Sequence, residues 1–140
     1  MQVVLNTKHA WSILTAVLLV SNLGPSARAS SPIAERSCRQ HPQLTGRCFT
    51  IRGRMNYWNG NPSVRIWRVG TRRILGISEG RFKRDGYVNL PASIEARLSW
   101  DSDLFGDFVV CPFTRDEPGV MRLVCVESVT NVTVRPRKDK

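Results

Sequence analysis

Histidine is scarce in this 140-residue chain: it occurs twice, and His41 is the only one beyond the N-terminal region. Hydrolytic enzymes usually need a base held beside a nucleophile, and histidine supplies that base most often. The sequence also lacks a glycine-rich phosphate loop between a strand and a helix, and it lacks a dinucleotide fingerprint. We therefore expect a noncatalytic protein without a bound cofactor.

Clustered metal ligands are missing as well. No C-x-x-C pair occurs, so the four cysteines lack the spacing that is typical of a zinc site. Asp101, Asp103 and Asp107 lie close together and suggest calcium as an alternative, yet they lack the full ligand series of a calcium loop. Aspartate is also ordinary in turns. The sequence therefore predicts no metal site.

Long apolar runs are absent beyond the N-terminus. The uncharged apolar run Trp11–Val20 has about half of the roughly 20 residues that a membrane-spanning helix needs. Lys8 precedes it, and Ala27-Arg28-Ala29 follows with the small-x-small form of a signal-peptidase site. An uncleaved anchor is the alternative. We expect residues 1–29 to be a cleaved signal peptide, the mature chain to lack a transmembrane segment, and the location to be periplasmic or secreted.

All four cysteines lie in the part of the chain that is expected to be exported. An even number in a small exported domain indicates disulfides. Three connectivities are possible. Cys38 and Cys48 bracket a short loop, while Cys111 and Cys125 lie symmetrically about Pro118 and would face each other across a hairpin. We favour these two local pairs, Cys38–Cys48 and Cys111–Cys125.

The segment Arg52–Ile77 alternates between apolar and basic residues on both sides of the turn-forming Asn59-Gly60-Asn61-Pro62. Such alternation predicts strands with one buried face and an arginine-bearing opposite face. Further strand patterns follow at short intervals, with turn residues between them. The sequence thus predicts an all-β domain: a small antiparallel β-sandwich or barrel of about six to eight short strands, with two disulfides.

The segment Pro91–Trp100 fits two structures. Its apolar residues alternate with polar ones, which favours a strand, whereas proline followed by alanine, glutamate and arginine also suits one or two helical turns. We favour the strand. Residues 38–135 are then expected to form a single β domain, preceded by a flexible lead-in at 30–37 and followed by a basic tail at 136–140.

The formal charge of +10 is unevenly distributed. Residues 36–84 contain twelve lysines and arginines and one acid, whereas residues 85–128 contain eight acids and three arginines. The excess is mainly arginine, whose planar guanidinium binds phosphate, sulfate or carboxylate through two parallel hydrogen bonds. We therefore predict a ligand-binding face formed by Arg52, Arg54, Arg65, Trp67, Arg68 and Arg73.

The expected partners of this face are anionic: a polysaccharide, lipopolysaccharide or an acidic protein. Export argues against nucleic acid. In the alternative interpretation the arginines pair with acids of the same domain, and the protein is a structural or assembly component of the cell envelope. The acids expected to take part are Glu95, Asp101, Asp103 and Asp107.

Two long motifs add a family resemblance. GRMNYWNGNPSVRIWRVGTRRILGI and FGDFVVCPFTRDEPGVMRLVCVES resemble an uncharacterised family of small exported bacterial proteins. The family pattern is G-R-x-x-x-[WY]-N-G-x-P-x-x-R-I-W-x-x-G-T-x-R-x-L-G, followed by G-D-[FY]-x-V-C-P-F and V-C-[VI]-E. The resemblance covers roughly residues 48–128 and implies export, a β-rich domain and a relation between Cys111 and Cys125, without an assigned activity. The matching positions to test first are Arg65, Trp67, Gly70, Thr71, Arg73, Gly106 and Asp107.

Overall fold

The computed structural model describes residues 36–82 and 84–137. The expected signal peptide at 1–29, most of the lead-in at 30–37 and the last residues of the expected tail lie outside these ranges. The described chain forms a 3-10 turn, five strands and one short helix. In chain order they are the 3-10 turn Cys38–Gln40, β1 (Phe49–Tyr57), β2 (Val64–Arg68), β3 (Ile74–Ile77), α1 (Ala92–Glu95), β4 (Ser102–Pro112) and β5 (Arg122–Pro136).

The strands close into a barrel in the order β1-β2-β3-β5-β4, and β4 returns to pair with β1. Neighbouring strands are antiparallel except β3 and β5, which are parallel. This confirms the predicted all-β fold and, of the sandwich and barrel expected, shows the barrel; the sheet is mixed instead of purely antiparallel because β3 and β5 are parallel. Its five strands are fewer than the expected six to eight, because the segment Pro91–Trp100 forms no strand and β5 is one continuous run of 15 residues. The strand order, and the position of α1 between β3 and β4, are those of an OB-fold.

The barrel interior is filled by the apolar side of the alternating strands. Ile51 is 4% exposed, and Met55, Ile66 and Phe108 are fully buried. Gly53 lies on the same face of β1, and a Cβ atom there would lie 2.5 Å from Ile66 Cγ2 and 3.0 Å from Phe108 Cδ2. Glycine at this position therefore lets the Phe108 ring fit inside the barrel.

The predicted strand at Pro91–Trp100 is wrong, because this segment contains helix α1. Pro91 suits a helix start, where its missing N–H has no partner to lose. Ile94 is buried in the barrel core, and Leu98 packs against the same core four residues later. The short helix and the turn that follows it therefore bring both side chains to the core, while Trp100 is 47% exposed. Within the described ranges, no helix has the length and apolar character that crossing a membrane requires.

The predicted disulfide pairing is also wrong, although all four cysteines are oxidised as expected. Cys38 bonds to Cys125, and Cys48 bonds to Cys111. Cys111 and Cys125 do face each other across β4 and β5, as their symmetric spacing suggests. However, both pack in a second apolar cluster, apart from the barrel core, where they meet the N-terminal segment. β4 and β5 are already joined by backbone hydrogen bonds. Their cysteines bond instead to Cys38 and Cys48, which attaches the N-terminal segment to these strands.

His41 packs beside this second cluster and is 3% exposed. Its ring makes edge-to-face contacts with Tyr87 and Phe113, at a centroid distance of 4.8 Å in each case. Its Nδ1 accepts a hydrogen bond of 3.2 Å from the backbone N–H of Gln43. The neutral ring therefore carries its proton on Nε2.

Because of His41, the protein should lose stability as the pH falls below about 6.5. Burial lowers the pKa of His41 most strongly; the Phe82 backbone raises it in part, and the charge of Arg84 lowers it again. In this range the unfolded chain binds a proton that the folded protein does not. The stabilisation is therefore complete above the unfolded pKa and is lost as the pH falls toward the lower folded pKa.

Urea unfolding at several pH values between about 7.5 and 5 measures this effect, in a range above the usual carboxylate pKa values. The variant His41→Phe keeps an aromatic ring in the same place and should lose the pH dependence. If the variant and the wild type show the same slope against pH, His41 is not its source.

Candidate functional site

The six residues predicted for the ligand-binding face lie in two places. Arg68 and Arg73 lie at one end of the barrel, around the turn that joins β2 to β3. The other four lie on the outer surface of β1 and β2, where their side chains alternate with buried ones: Arg52, Arg54, Arg65 and Trp67.

Two guanidinium groups are stacked on aromatic rings of this outer surface. Trp67 on β2 lies opposite Arg54 on β1, which lies opposite Phe105 on β4. The Arg54 Cζ atom is 5.3 Å from the centre of the Trp67 ring, and the Arg135 Cζ atom on β5 is 5.3 Å from the centre of the Phe105 ring. Trp67 is itself held in place, because its Nε1 donates a hydrogen bond of 2.8 Å to the Thr71 carbonyl.

We name this surface the arginine–aromatic face. It contains a shallow cavity of about 270 Å³, which is lined in part by Arg54, Trp67 and Phe105. The register of β1, β2, β4 and β5 therefore brings together arginines that are distant in sequence. The face is formed by Arg52, Arg54, Arg65, Trp67, Phe105 and Arg135.

Asp103 is the buried carboxylate of this face. It is 7% exposed and accepts a hydrogen bond of 2.7 Å from Asn56 Nδ2. Its oxygens lie 3.3 Å from Arg137 Nε and 3.8 Å from Arg54 Nη1. The segment expected to be a tail at 136–140 therefore begins within ordered structure, where Arg137 is held against the barrel.

Asp107 forms the second ion pair. Its Oδ1 lies 3.3 Å from Arg52 Nη1, and its Oδ2 accepts a hydrogen bond of 2.7 Å from Asn131 Nδ2. The hydrogen bond from Asn131 is the largest effect lowering the pKa of the Asp107 carboxyl, and Arg52 lowers it further. Asp107 is thus set up to stay ionised beside Arg52.

Internal pairing, the alternative interpretation of the arginines, is present but incomplete. Arg52 and Arg54 each meet a carboxylate, whereas Arg65 and Arg135 meet none within residues 36–82 and 84–137. Two of the expected acidic partners pair with no arginine in the same ranges: Glu95 and Asp101. The face therefore keeps an excess of positive charge.

Arg65 is held by the turn between β1 and β2 instead of by an acid. Its Nε donates a hydrogen bond of 3.0 Å to the Pro62 carbonyl, and its Cζ lies 6.0 Å from the centre of the Trp58 ring. Trp58 is 39% exposed. Arg65 and Trp58 therefore form a third arginine–aromatic contact, which lies at the edge of the barrel.

The barrel end has an arrangement of its own. Arg68, Arg73, Arg122 and Asp116 line a cleft of about 210 Å³. Arg73 forms an ion pair with Asp116. Arg68 and Arg73 therefore do not share a surface with the stacked guanidiniums, and the predicted single face consists of two separate arginine groups.

Four arginine and aromatic residues in or beside these groups were not predicted from the sequence. Arg135 lies in a stretch where apolar and polar residues alternate, so the sequence predicts that its side chain points outward. Its aromatic partner, Phe105, lies on another strand and cannot be predicted from that pattern. Arg137 belongs to a basic C-terminal segment without an apolar pattern, which resembles a tail. The missed residues are Phe105, Arg122, Arg135 and Arg137.

Several positions of the family motif serve the fold. Gly70 has a φ of 78° in the turn between β2 and β3, a conformation that favours glycine. In the same turn, Thr71 Oγ1 accepts a hydrogen bond of 3.0 Å from the Arg73 N–H. A Cβ atom at Gly106 would lie 2.6 Å from Val129 Cγ2. A larger residue would therefore not fit at that point of the barrel.

Comparison of the chain with protein-family models, with curated protein sequences and with solved structures finds no match in any of the three. The likeness to an OB-fold therefore rests on strand connectivity, and the resemblance to small exported bacterial proteins rests on the motifs. A fold by itself does not determine function, which depends on the residues and geometry of the site.

Proposed function

We propose that this protein is an exported, noncatalytic binding module whose arginine–aromatic face binds an anionic component of the cell envelope, such as polysaccharide or lipopolysaccharide, or an acidic protein. The observation that carries the proposal is the pair of stacked guanidiniums, Arg54 on Trp67 and Arg135 on Phe105. Stacking uses the flat face of a guanidinium. Its N–H donors lie in the plane of the group and stay available to oxygen atoms of a ligand.

The stacked arginines are also suited to binding because they are already ordered. A long, flexible side chain loses conformational freedom when it binds, and this loss weakens the affinity. Arg54 is restrained by Trp67 and by Asp103, and Arg135 is restrained by Phe105. Arginine and tryptophan are also the residues that most often dominate the affinity of interfaces.

Charge supports an anionic ligand. Asp103 and Asp107 offset the arginines of the face only in part, and neither Arg65 nor Arg135 has a carboxylate partner in the described chain. An excess of one sign on a surface raises the local concentration of oppositely charged ligands and speeds their association.

Export is supported by two observations. The pattern of residues 1–29 is that of a signal peptide. The disulfides Cys38–Cys125 and Cys48–Cys111 are consistent with a location outside the cytoplasm, where such bonds form and persist. We therefore propose a periplasmic or secreted location as well.

The second candidate function is that of a structural or assembly protein of the cell envelope. It is favoured by the ion pairs Arg52–Asp107 and Arg54–Asp103, which join neighbouring strands of the barrel. In this case the arginines stabilise the strand register, and the surface binds no anionic ligand.

The double variant Arg65→Gln/Arg135→Gln tests the binding function. Affinity for immobilised heparin or lipopolysaccharide should weaken by about a hundredfold at low salt, since each of the two lost charge-assisted hydrogen bonds is worth about 1.5–3 kcal/mol, or at least about tenfold. Wild-type retention should itself fall steeply between 0.1 M and 1 M salt, because the Debye length shortens from about 10 Å to about 3 Å. The melting temperature should change little: Arg135 is exposed, Arg65 is half-buried and neither pairs with a carboxylate in the described chain, and such charges contribute about 0–1 kcal/mol to stability.

The matched control is Arg97→Gln/Arg115→Gln, which removes the same charge from exposed positions outside the face. It should keep most of the retention. If both double variants lose the same amount of retention, net charge alone explains binding, and the arginine–aromatic face is not a specific binding site. Lower stability with unchanged retention would favour the structural alternative.

A further inference from the structure

Three arginines converge at the end of the barrel away from α1. Arg68 ends β2, Arg73 directly precedes β3 and Arg122 begins β5. Together with Asp116 they line the cleft of about 210 Å³. A water molecule takes about 30 Å³ in the liquid. The cleft therefore has room for a small polyatomic ion.

Two of these guanidiniums are fixed by the protein itself. Arg122 Nε donates a hydrogen bond of 3.0 Å to the Thr114 carbonyl, and its Cζ lies 5.2 Å from the centre of the Phe49 ring. Arg73 Nη1 donates a hydrogen bond of 3.3 Å to the Glu117 carbonyl. Both groups have further N–H donors, so the cleft presents donors in set positions.

Positive charge in the cleft is only partly compensated. Asp116 pairs with Arg73, while Arg68 and Arg122 pair with no carboxylate in the part of the chain that the structure describes. Burial lowers the pKa of Arg122, and the positive charge of Arg73 lowers it further. Three guanidiniums around one carboxylate repel one another, and a second anion would relieve that repulsion.

We propose that this cleft is a binding site for a tetrahedral oxyanion, phosphate or sulfate, held between Arg68, Arg73 and Arg122. Such an ion has several oxygen atoms, and each guanidinium can bind two of them through parallel hydrogen bonds. The same chemistry serves a free ion and a terminal ester group of a larger molecule. The site is separate from the arginine–aromatic face and does not depend on the function proposed for that face.

Asp116 occupies part of this site when no ligand is bound. Its carboxylate takes the place of the ligand oxygens on Arg73. Because the Asp116 side chain is 59% exposed, its ion pair is weak, and an incoming anion displaces it readily. Asp116 therefore competes with the ligand and lowers its apparent affinity.

Calorimetric titration of the disulfide-bonded protein with inorganic phosphate, at constant ionic strength set with sodium chloride, tests the site. We expect saturable binding of one ion. Arg68→Gln and Arg122→Gln should each weaken it by about tenfold, which corresponds to losing one charge-assisted hydrogen bond. Asp116→Asn should strengthen it severalfold. The control Arg97→Gln, at an exposed position beyond α1, should leave it unchanged.

The proposal is overturned if the wild type shows no binding beyond the effect of ionic strength, or if Arg97→Gln weakens binding as much as Arg68→Gln does. Arg68→Gln and Asp116→Asn change exposed side chains, so they keep the test valid even if Arg122→Gln does not fold. A parallel titration with glycerol phosphate separates the sources of the ligand. Tighter binding of the ester assigns the site to an esterified phosphate, and equal or weaker binding assigns it to the free ion.

Discussion

Replacing Cys38 and Cys125 together by alanine is expected to lower the free energy of unfolding by about 3–5 kcal/mol. The bond joins residues that are 87 positions apart, and a cross-link over so long a stretch strongly restricts the unfolded chain. The two residues are also almost completely buried, so alanine removes packed sulfur as well. The loss is a large share of the roughly 5–15 kcal/mol that stabilises a typical domain. Urea unfolding followed by circular dichroism measures it.

The same variant distinguishes the observed disulfides from the local pairs that the spacing favours. If Cys48 is bonded to Cys111, the variant contains no free thiol. If Cys38 were instead bonded to Cys48 in the wild type, removing Cys38 and Cys125 would leave two free thiols. Thiol titration in denaturant decides between these results. The companion variant Cys48→Ala/Cys111→Ala should also lose stability and contain no free thiol.

Replacing Asp103 by alanine is expected to cost about 3–5 kcal/mol of stability, the usual effect of removing one partner of a buried ion pair. The change leaves the Asn56 amide without its acceptor and leaves the positive charge of Arg137 without its carboxylate. Arg54 loses its acidic partner too, although it keeps its contact with Trp67. Equilibrium unfolding in urea measures the loss.

Two further variants isolate the cause. Asp107→Ala removes the other carboxylate of the same surface, which is more exposed than Asp103, and should cost much less. In the background of Arg137→Ala, the effect of Asp103→Ala should be smaller, because the partner charge is no longer left unpaired. If the losses from Asp103→Ala and Asp107→Ala are equal, or if the effects of Asp103 and Arg137 add, the buried pair is not what stabilises this side of the barrel.

The parts of the fold that the sequence predicts are those decided by neighbouring residues. Ile51 and Met55 alternate with Arg52 and Arg54, so the inward and outward sides of β1 follow from strand geometry. The helix α1 was missed because the apolar residues from Ile94 onward fit a strand pattern as well as a helical one. Packing against the barrel core decides between helix and strand: Ile94 is buried in the core, and Trp100 stays exposed.

The site was predicted less completely, because it depends on which strands become neighbours. Arg54 and Trp67 were both selected from a charge pattern, but their stacking requires the register of β1 and β2. Arg135 meets Phe105 only because β5 pairs with β4. Arg122 joins Arg68 and Arg73 because β5 runs parallel to β3 and begins at the same end of the barrel. Pairings between distant segments leave no local pattern.

The nested order of the disulfides has a consequence for how the protein matures. The first cysteine bonds to the last, and the second bonds to the third, with sequence separations of 87 and 63 residues. A chain is made from its N-terminus, so Cys38 and Cys48 are made before their partners, and until then they can bond within the chain only to each other. Such a bond must later be exchanged, which takes seconds to hours depending on the oxidant and on isomerase. Native pairing therefore requires β4 and β5 to be present, and a Cys38–Cys48 bond formed earlier delays it until thiol–disulfide exchange has occurred.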